Sequence, residues 1–439
     1  MVSPIKSVSS KFELTSCQQN ALALLKGADN IFLTGVAGSG KSFLLNQFLK
    51  EKDWKIYPVV ASTGVAAVLV RGVTFHSFFG LGIMEGGLEK TLKRAFKDKR
   101  LKKRLTRANA VVIDEISMIP GKALHAAELI CQKIRGKPIP WGGLRIIAVG
   151  DFGQLPPVNV HDEMKDWAFM SETWRKSGFQ VAYLKTVMRS RDEEFLEVLN
   201  FIRDGEVNET VTKFLDSRVQ DPGPKFSGTI LFPHRHSVEE YNLKKLEGLP
   251  GKIFSFKTEY SGKERFLDQI KKTAPVPEVL HLKIGALVMI RKNDPNHEFV
   301  NGSLGRIKAI DSSGIGVYLS NGNYVAFEKE TFSCLNAEGE EVAAAKNFPV
   351  NLAWATTIHK SQGMTLDSAT MDLSKVFEAG QTYVALSRVK SAKELYLTAW
   401  DPKTIRASEE VKAFHRKIFE NYNSLQADAA PGSLESEIE

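Results

Sequence analysis

The stretch Gly35-Val36-Ala37-Gly38-Ser39-Gly40-Lys41-Ser42 limits the possible folds more than any other part of the chain. It fits the pattern G-x-x-x-x-G-K-S/T and follows a short apolar run at 31–34 (IFLT). It also opens a segment in which Phe43, Leu44, Leu45, Phe48 and Leu49 form a stripe at helical spacing. Strand, glycine loop and helix in this order let consecutive backbone N–H groups wrap a phosphate, with the helix N-terminus adding a favourable field. Lys41 then reaches the terminal phosphates and Ser42 can bind magnesium. Such a unit belongs to a parallel α/β sheet.

Further branched apolar runs at 59–62 (VVAS), 110–113 (AVVI) and 144–149 (LRIIAV) read as strands of the same sheet. Asp114 and Glu115 end the second of these runs, where an Asp can hold magnesium and a following Glu can polarise an attacking water. The segment 150–158 (GDFGQLPPV) follows the third, so that Asp151 and Gln154 emerge at the same sheet edge. A Gln there can sense a γ-phosphate and orient water. Hydrolysis is favoured over phosphoryl transfer to a second substrate.

A chain of 439 residues is too long for one ordinary core, and 43% hydrophobic content excludes general disorder. A second α/β region is expected from 181–184, 348–355, 369–373 and 394–398. Between 251 and 346 the texture changes to short alternating runs punctuated by Asn301-Gly302, Ser313-Gly314 and Asn321-Gly322, which suits a small antiparallel barrel. Three scattered cysteines are too few for a disulfide framework and suggest a reducing compartment. No run nears the roughly 20 apolar residues of a membrane span, and the first ten residues lack a secretory apolar stretch. A soluble, cytoplasmic protein without membrane contact is expected.

The formal charge of +8 is unevenly spread. Residues 90–107 carry ten Lys or Arg against one Asp, whereas the end after Gln426 has four acids and no base. The former reads as a phosphate-contacting or duplex-engaging segment, the latter as a disordered tail.

In order along the chain stand LTSCQQ (14–19), GVAGSGKS (35–42), ASTGVAA (61–67), TFHSFFG (74–80), VVIDEISM (111–118), GDFGQLPPV (150–158), LKTVMRS (184–190), LAWATTIHKSQGMTLD (352–367) and GQTYVALSR (380–388). These motifs resemble the PIF (petite-integration-frequency) family of superfamily-one DNA helicases, relatives of the RecD-like enzymes. The resemblance implies two tandem RecA-like P-loop domains with ATP and Mg2+ in the cleft between them. It further implies a small wedge insertion in the first domain and a small SH3-like β-barrel inserted in the second. The expected division is 1–180 for the first domain with its basic insertion at about 68–107. The second domain takes 181–250 and 347–425, the barrel 251–346 and the acidic tail 426–439.

Roles implied by the same resemblance are Gln18 at the adenine, and Gly35, Gly38, Ser39, Gly40, Lys41 and Ser42 around phosphate and metal. Asp114 falls to magnesium, Glu115 acts as catalytic base, and Gln154 and Gly363 face the nucleotide. Arg189 and Arg388 are implied to reach in from the second domain as arginine fingers. Ser190 stands where the family commonly has Gln. Single-stranded DNA is implied to lie on Ser62, Thr63, Gly64, His76, Phe78 and Phe79 of the first domain. Thr357, His359, Lys360, Ser361 and Gln362 of the second would complete that path, with aromatic faces stacking bases. The implied activity is 5′-to-3′ translocation by a monomer on single-stranded DNA and at single-strand/duplex junctions. Alternatives are an RNA-directed or non-unwinding ATPase, and a passive strand-binding protein whose ATP site gates affinity.

Overall fold

The computed structural model describes residues 14–428, apart from 71, 83, 85, 158–164, 191, 224–225, 227, 235, 293, 295–297, 300 and 312–313. The first part of the chain builds six parallel strands: Ile31–Gly35 (β1), Val59–Ala61 (β2), Val73–Thr74 (β3), Ala110–Asp114 (β4), Arg145–Val149 (β5) and Gln180–Leu184 (β6). Their order is β3-β2-β4-β5-β1-β6. Because successive side chains point to opposite faces, Phe32, Val111, Ile113, Ile146 and Ala148 enter one core. Ile31, Leu33, Ala110, Val112, Ile147 and Val149 enter the other. Both faces are covered, which is why these strands read as unbroken apolar runs.

The run at 181–184 was expected to start the second α/β region. Instead β6 pairs in parallel with β1 over its whole length and closes the first sheet. A second parallel sheet follows, with Ala355–Thr357, Thr229–Phe232, Ala369–Asp372 and Leu395–Ala399 in that order. The strand Thr229–Phe232, whose Leu231 enters the second domain's core, is not among the runs expected above.

Between these strands lies an antiparallel insertion. Its largest sheet joins Tyr324–Phe327, Ile315–Leu319, Leu304–Ile310, Leu287–Ile290 and Val350–Leu352. The last of these belongs to the insertion and not, as expected of 348–355, to the second parallel sheet, because Val350 and Leu352 pair with Ile290 and Val288. A hairpin of Glu330–Leu335 and Glu341–Asn347 carries Glu259–Gly262 as a third strand and packs on the helix Glu264–Thr273.

The last described element is the helix Glu409–Asp428. Its first turns pack on the first domain: Phe414 stacks on Phe169 with ring centroids 4.3 Å apart and meets Phe152 edge-on at 5.3 Å. The helix also takes in 426–428, assigned above to the tail; 429–439 lie outside the described residues. Among the described residues, no helix is long and apolar enough to cross a membrane.

Candidate active site

The carboxyl ends of β1, β4 and β5 bring three motifs to one edge. After β1 the phosphate loop turns with Gly38 and Gly40 at φ +82° and +89°, a region that costs other residues strain. Lys41 then opens the helix Lys41–Leu49, and its Nζ donates to the carbonyls of Gly35 at 2.8 Å and Val36 at 3.2 Å. Burial holds this ammonium below its ordinary pKa, opposed by the charges of Asp151 and Glu115. The buried hydroxyl of Ser39 has no hydrogen-bond partner, and Ser42 is exposed at the loop's mouth. An unsatisfied hydroxyl, a half-buried cation and a loop of turned N–H groups fit a phosphate chain.

Gln18 sits behind the loop. Its side chain closes a capping box with Thr15 and sends Nε2 to the Ser39 carbonyl at 3.4 Å, beside Gly40. After β4, Asp114 accepts from the Glu115 amide at 3.0 Å, and Glu115 itself is left-handed, at φ +52°. A non-glycine residue held there costs about 1–3 kcal/mol, which the surrounding structure must offset. Burial, then the neighbouring Asp114, push the Glu115 carboxyl up to about 7. Gln362 of the second domain donates to Glu115 Oε2 at 3.1 Å. After β5, Gln154 donates to Asp151 Oδ2 at 3.4 Å.

The two arginines meet this edge differently from expectation. Arg189 does not arrive from the second domain: it follows β6, and the amides of Met188 and Arg189 donate to the Gly38 carbonyl at 2.8 and 3.2 Å. Its guanidinium instead crosses to the Ser387 carbonyl of the second domain. Arg388 does come from the second domain, fully buried, with Nε on the Val384 carbonyl at 2.7 Å and Nη2 on Ser387 Oγ at 2.7 Å. Both guanidiniums fall below their ordinary pKa by burial, Arg189 further by the charge of Arg388, and Arg388 is opposed first by Glu115. Ser190, in place of the usual Gln, is buried and accepts from the Asp192 amide at 3.2 Å.

Sequence reasoning missed a network behind the loop. Tyr383 accepts from the Ala37 amide at 2.8 Å and lies 3.3 Å from Asp151 Oδ2. Asp151, wholly buried, pairs with Arg203 at 2.7 Å, and Arg203 Nη2 lies 3.2 Å from His415 Nε2. Tyr383 and Asp151 lay inside quoted motifs; Arg203 and His415 carried no local signal.

The implied DNA residues divide. Phe78 (3% exposed) and Phe79 (0%) are core residues, packed with Phe75 and Trp141, and cannot offer a face to a base. Here the aromatic pair is corrected from strand contact to packing. His76 is half-buried, Thr63 caps the helix Gly64–Leu69, Ser62 Oγ donates to Met118 Sδ at 3.6 Å, and Gly64 packs against the Thr273 methyl. In the second domain His359, Lys360 and Gly363 are exposed, whereas Thr357 and Ser361 are buried and shape the turn through their hydroxyls.

Comparison with known proteins agrees with this cleft. A family model described as PIF1-like helicase matches residues 14–213. The chain is 49% identical over 408 residues to the ATP-dependent DNA helicase Pif1 of Bdellovibrio bacteriovorus, covering 93% of each. It is 35% identical to ATP-dependent DNA helicase PIF1 of Danio rerio, covering 92% of this chain and 64% of that one. The structure matches that of a Bacteroides sp Pif1 in complex with ADP-AlF4 at a TM-score of 0.81 and 29% identity, over 93% of this chain and 98% of the other. Motif order, cleft and overall likeness agree: the chain belongs to the PIF1-like helicase family.

Proposed function

We propose that the protein is an ATP-dependent DNA helicase that moves 5′ to 3′ along single-stranded DNA and separates duplex or folded DNA ahead of it. The observation that carries this reading is the double bridging of the phosphate loop. Tyr383 of the second domain accepts from Ala37, while Arg189, anchored on Gly38, reaches Ser387 of the second domain. A nucleotide entering the loop must act on both bridges, so binding and hydrolysis bias how the two domains close. A strand held across both domains would be gripped and released in step.

Ser42 and Asp114 are the residues that would hold Mg2+ with the nucleotide, where the ion would offset charge on the phosphates. Glu115 takes a proton from water, Gln154 and Gln362 orient it, and Lys41, Arg189 and Arg388 balance developing negative charge. Strand direction rests on the family likeness. The acting unit in this reading is a monomer on single-stranded DNA. Three buried free cysteines support work in a reducing compartment, the cytoplasm.

Unwinding of duplexes bearing a 5′ or a 3′ tail tests the reading. Opening of the 5′-tailed duplex alone, with ATP turnover stimulated by DNA strands above RNA, is expected. Preference for 3′ tails, or turnover indifferent to any strand, would overturn it.

A further inference from the structure

Arg203 stands in one domain and pairs in the other. The helix Glu193–Arg203 enters the core of the second domain through Phe195, Val198, Leu199 and Ile202. From its last turn Arg203 crosses to Asp151, which follows β5 of the first domain, and its Nε and Nη2 both donate to Oδ1, at 3.2 and 2.7 Å. Nη2 also lies 3.2 Å from His415 Nε2, on the helix Glu409–Asp428. Both partners are buried. A buried ion pair adds little net stability over apolar side chains of similar volume, so stability alone does not account for it.

What the pair does fix is the turn that carries Gln154. Asp151 Oδ1 also accepts from the Gly153 amide at 3.0 Å, and Oδ2 accepts from Gln154 Nε2 at 3.4 Å. The Gln154 amide donates to the Asp151 carbonyl at 3.0 Å. Against its burial, the charge of Arg203 and then that of Lys41 hold the Asp151 carboxyl well below the ordinary range. An ionised carboxylate only accepts, which suits it to the donors gathered around it. Arg203 packs directly on Gly153, where a Cβ would come within 2.8 Å of Arg203 Cγ. Gly380 of the second domain closes on the same turn, since a Cβ there would stand 2.5 Å from the Gln154 carbonyl. The turn therefore hangs on one carboxylate, and a fork from the other domain sets how that carboxylate points.

We propose that Arg203 is a positioning residue for ATP hydrolysis: its fork on Asp151 sets the turn 151–154, aims Gln154 at the γ-phosphate and makes that aim depend on where the second domain stands. The inference rests on the place given to Gln154 in the helicase reading above. Lys offers a point charge where Arg offers a planar fork, so Arg203→Lys keeps the charge facing Asp151 and loses the orientation.

The full chain is compared as wild type, Arg203→Lys, Gln154→Ala and the double variant. Two readouts are taken: strand-stimulated ATP turnover, and equilibrium binding of ADP with and without aluminium fluoride, which mimics the phosphoryl group in transfer. Arg203→Lys is expected to lower kcat at least about tenfold with KM for ATP within about twofold, the pattern of an interaction made only in the transition state. In the Gln154→Ala background the same change should cost less than about twofold, because the two residues act as one unit. ADP alone should bind each variant within about twofold of wild type, while the tightening given by fluoride shrinks at least about tenfold in Arg203→Lys and Gln154→Ala alike. A lowered thermal midpoint with kcat and the fluoride effect unchanged would make Arg203 structural only and overturn the proposal. So would a loss that persists undiminished in the Gln154→Ala background. Should Arg203→Lys not fold, Asp151→Asn with Arg203→Gln removes both charges together, and wild-type values in both readouts then overturn the proposal. Gln154→Ala without effect on either readout would sink the placing of Gln154 in the helicase reading together with this inference. Loss in Gln154→Ala with none in Arg203→Lys would sink this inference alone.

Discussion

The phenolic oxygen of Tyr383 lies 2.8 Å from the amide nitrogen of Ala37, so a helix of the second domain is hydrogen-bonded to the backbone of the phosphate loop. The same oxygen reaches Asp151 at 3.3 Å, and the ring is 2% exposed. One hydroxyl thus joins the loop, the segment after β5 and the second domain.

Tyr383→Phe keeps the ring and removes that junction. It leaves a buried amide and a buried carboxylate oxygen each short of a partner, a cost of about 1–3 kcal/mol. Denaturant midpoints should drop accordingly. If about 1.4 kcal/mol of the loss falls on the closed state, strand-stimulated turnover falls about tenfold while basal turnover changes less. Equal loss in both rates would mean that Tyr383 is structural only.

Glu115 supplies the next expectation. With its carboxyl pushed up to about 7, chiefly by burial, the base is half protonated at neutrality. The profile of kcat/KM for ATP should rise with pH through a midpoint near 7 and level off above, because that ratio reports the free enzyme. Glu115→Gln should cut turnover by about 10²–10⁴, and Lys41→Ala should abolish it, while both retain DNA binding. A midpoint near the ordinary carboxylate value, about 4.3, would contradict the buried environment.

The phosphate loop, the Asp114-Glu115 pair and the strands leading to them were legible because that chemistry is local: the glycines, lysine and carboxylates sit within a few residues of the strand that carries them. The network of Asp151, Arg203, Tyr383 and His415 was not, since four distant segments assemble it and no spacing announces the meeting. Phe78 and Phe79 show a different limit. Exposed aromatics that stack bases and buried ones that fill a core have the same composition, and only the packing of Phe75 and Trp141 around them decides. The strand β6 misled for a related reason, as an apolar run does not say which sheet it will join.

His415 makes stability depend on pH in a defined sense. Burial, with the charge of Arg203 adding and that of Asp151 opposing, holds its imidazole down at about 3. In the unfolded chain it titrates near 6.5. Between these values the unfolded chain binds a proton that the folded one refuses, so stability falls as pH drops from about 6.5, by up to about 1.4 kcal/mol per unit. Glu115 acts oppositely in part of that window, and Asp151, held low by Arg203 and Lys41 against its burial, contributes only below about 4. Comparing thermal midpoints of wild type and His415→Gln from pH 6.5 to 4.5 isolates the imidazole: the variant's curve should be flatter. Parallel curves would show that His415 titrates normally.

Arg189 and Arg388 converge on Ser387, one through its carbonyl and the other through its hydroxyl, yet they hang on different domains. In the helicase mechanism proposed above, closure of the cleft moves one relative to the other and brings both to the phosphates. Removing a preorganised finger costs about 10³–10⁵ in rate. Arg189→Ala, which removes the side-chain bond to the Ser387 carbonyl and the contact with Gly38, should lower kcat by that order with a small change in nucleotide affinity. Arg388 is buried on the carbonyls of Val384 and Ser361, so Arg388→Lys is the better probe: it keeps the charge but not the planar fork. The double variant should lose far less than the product of the single losses, because two groups serving one transition state are not additive. Multiplicative losses in kcat, with binding unchanged, would show that the two arginines act at separate steps.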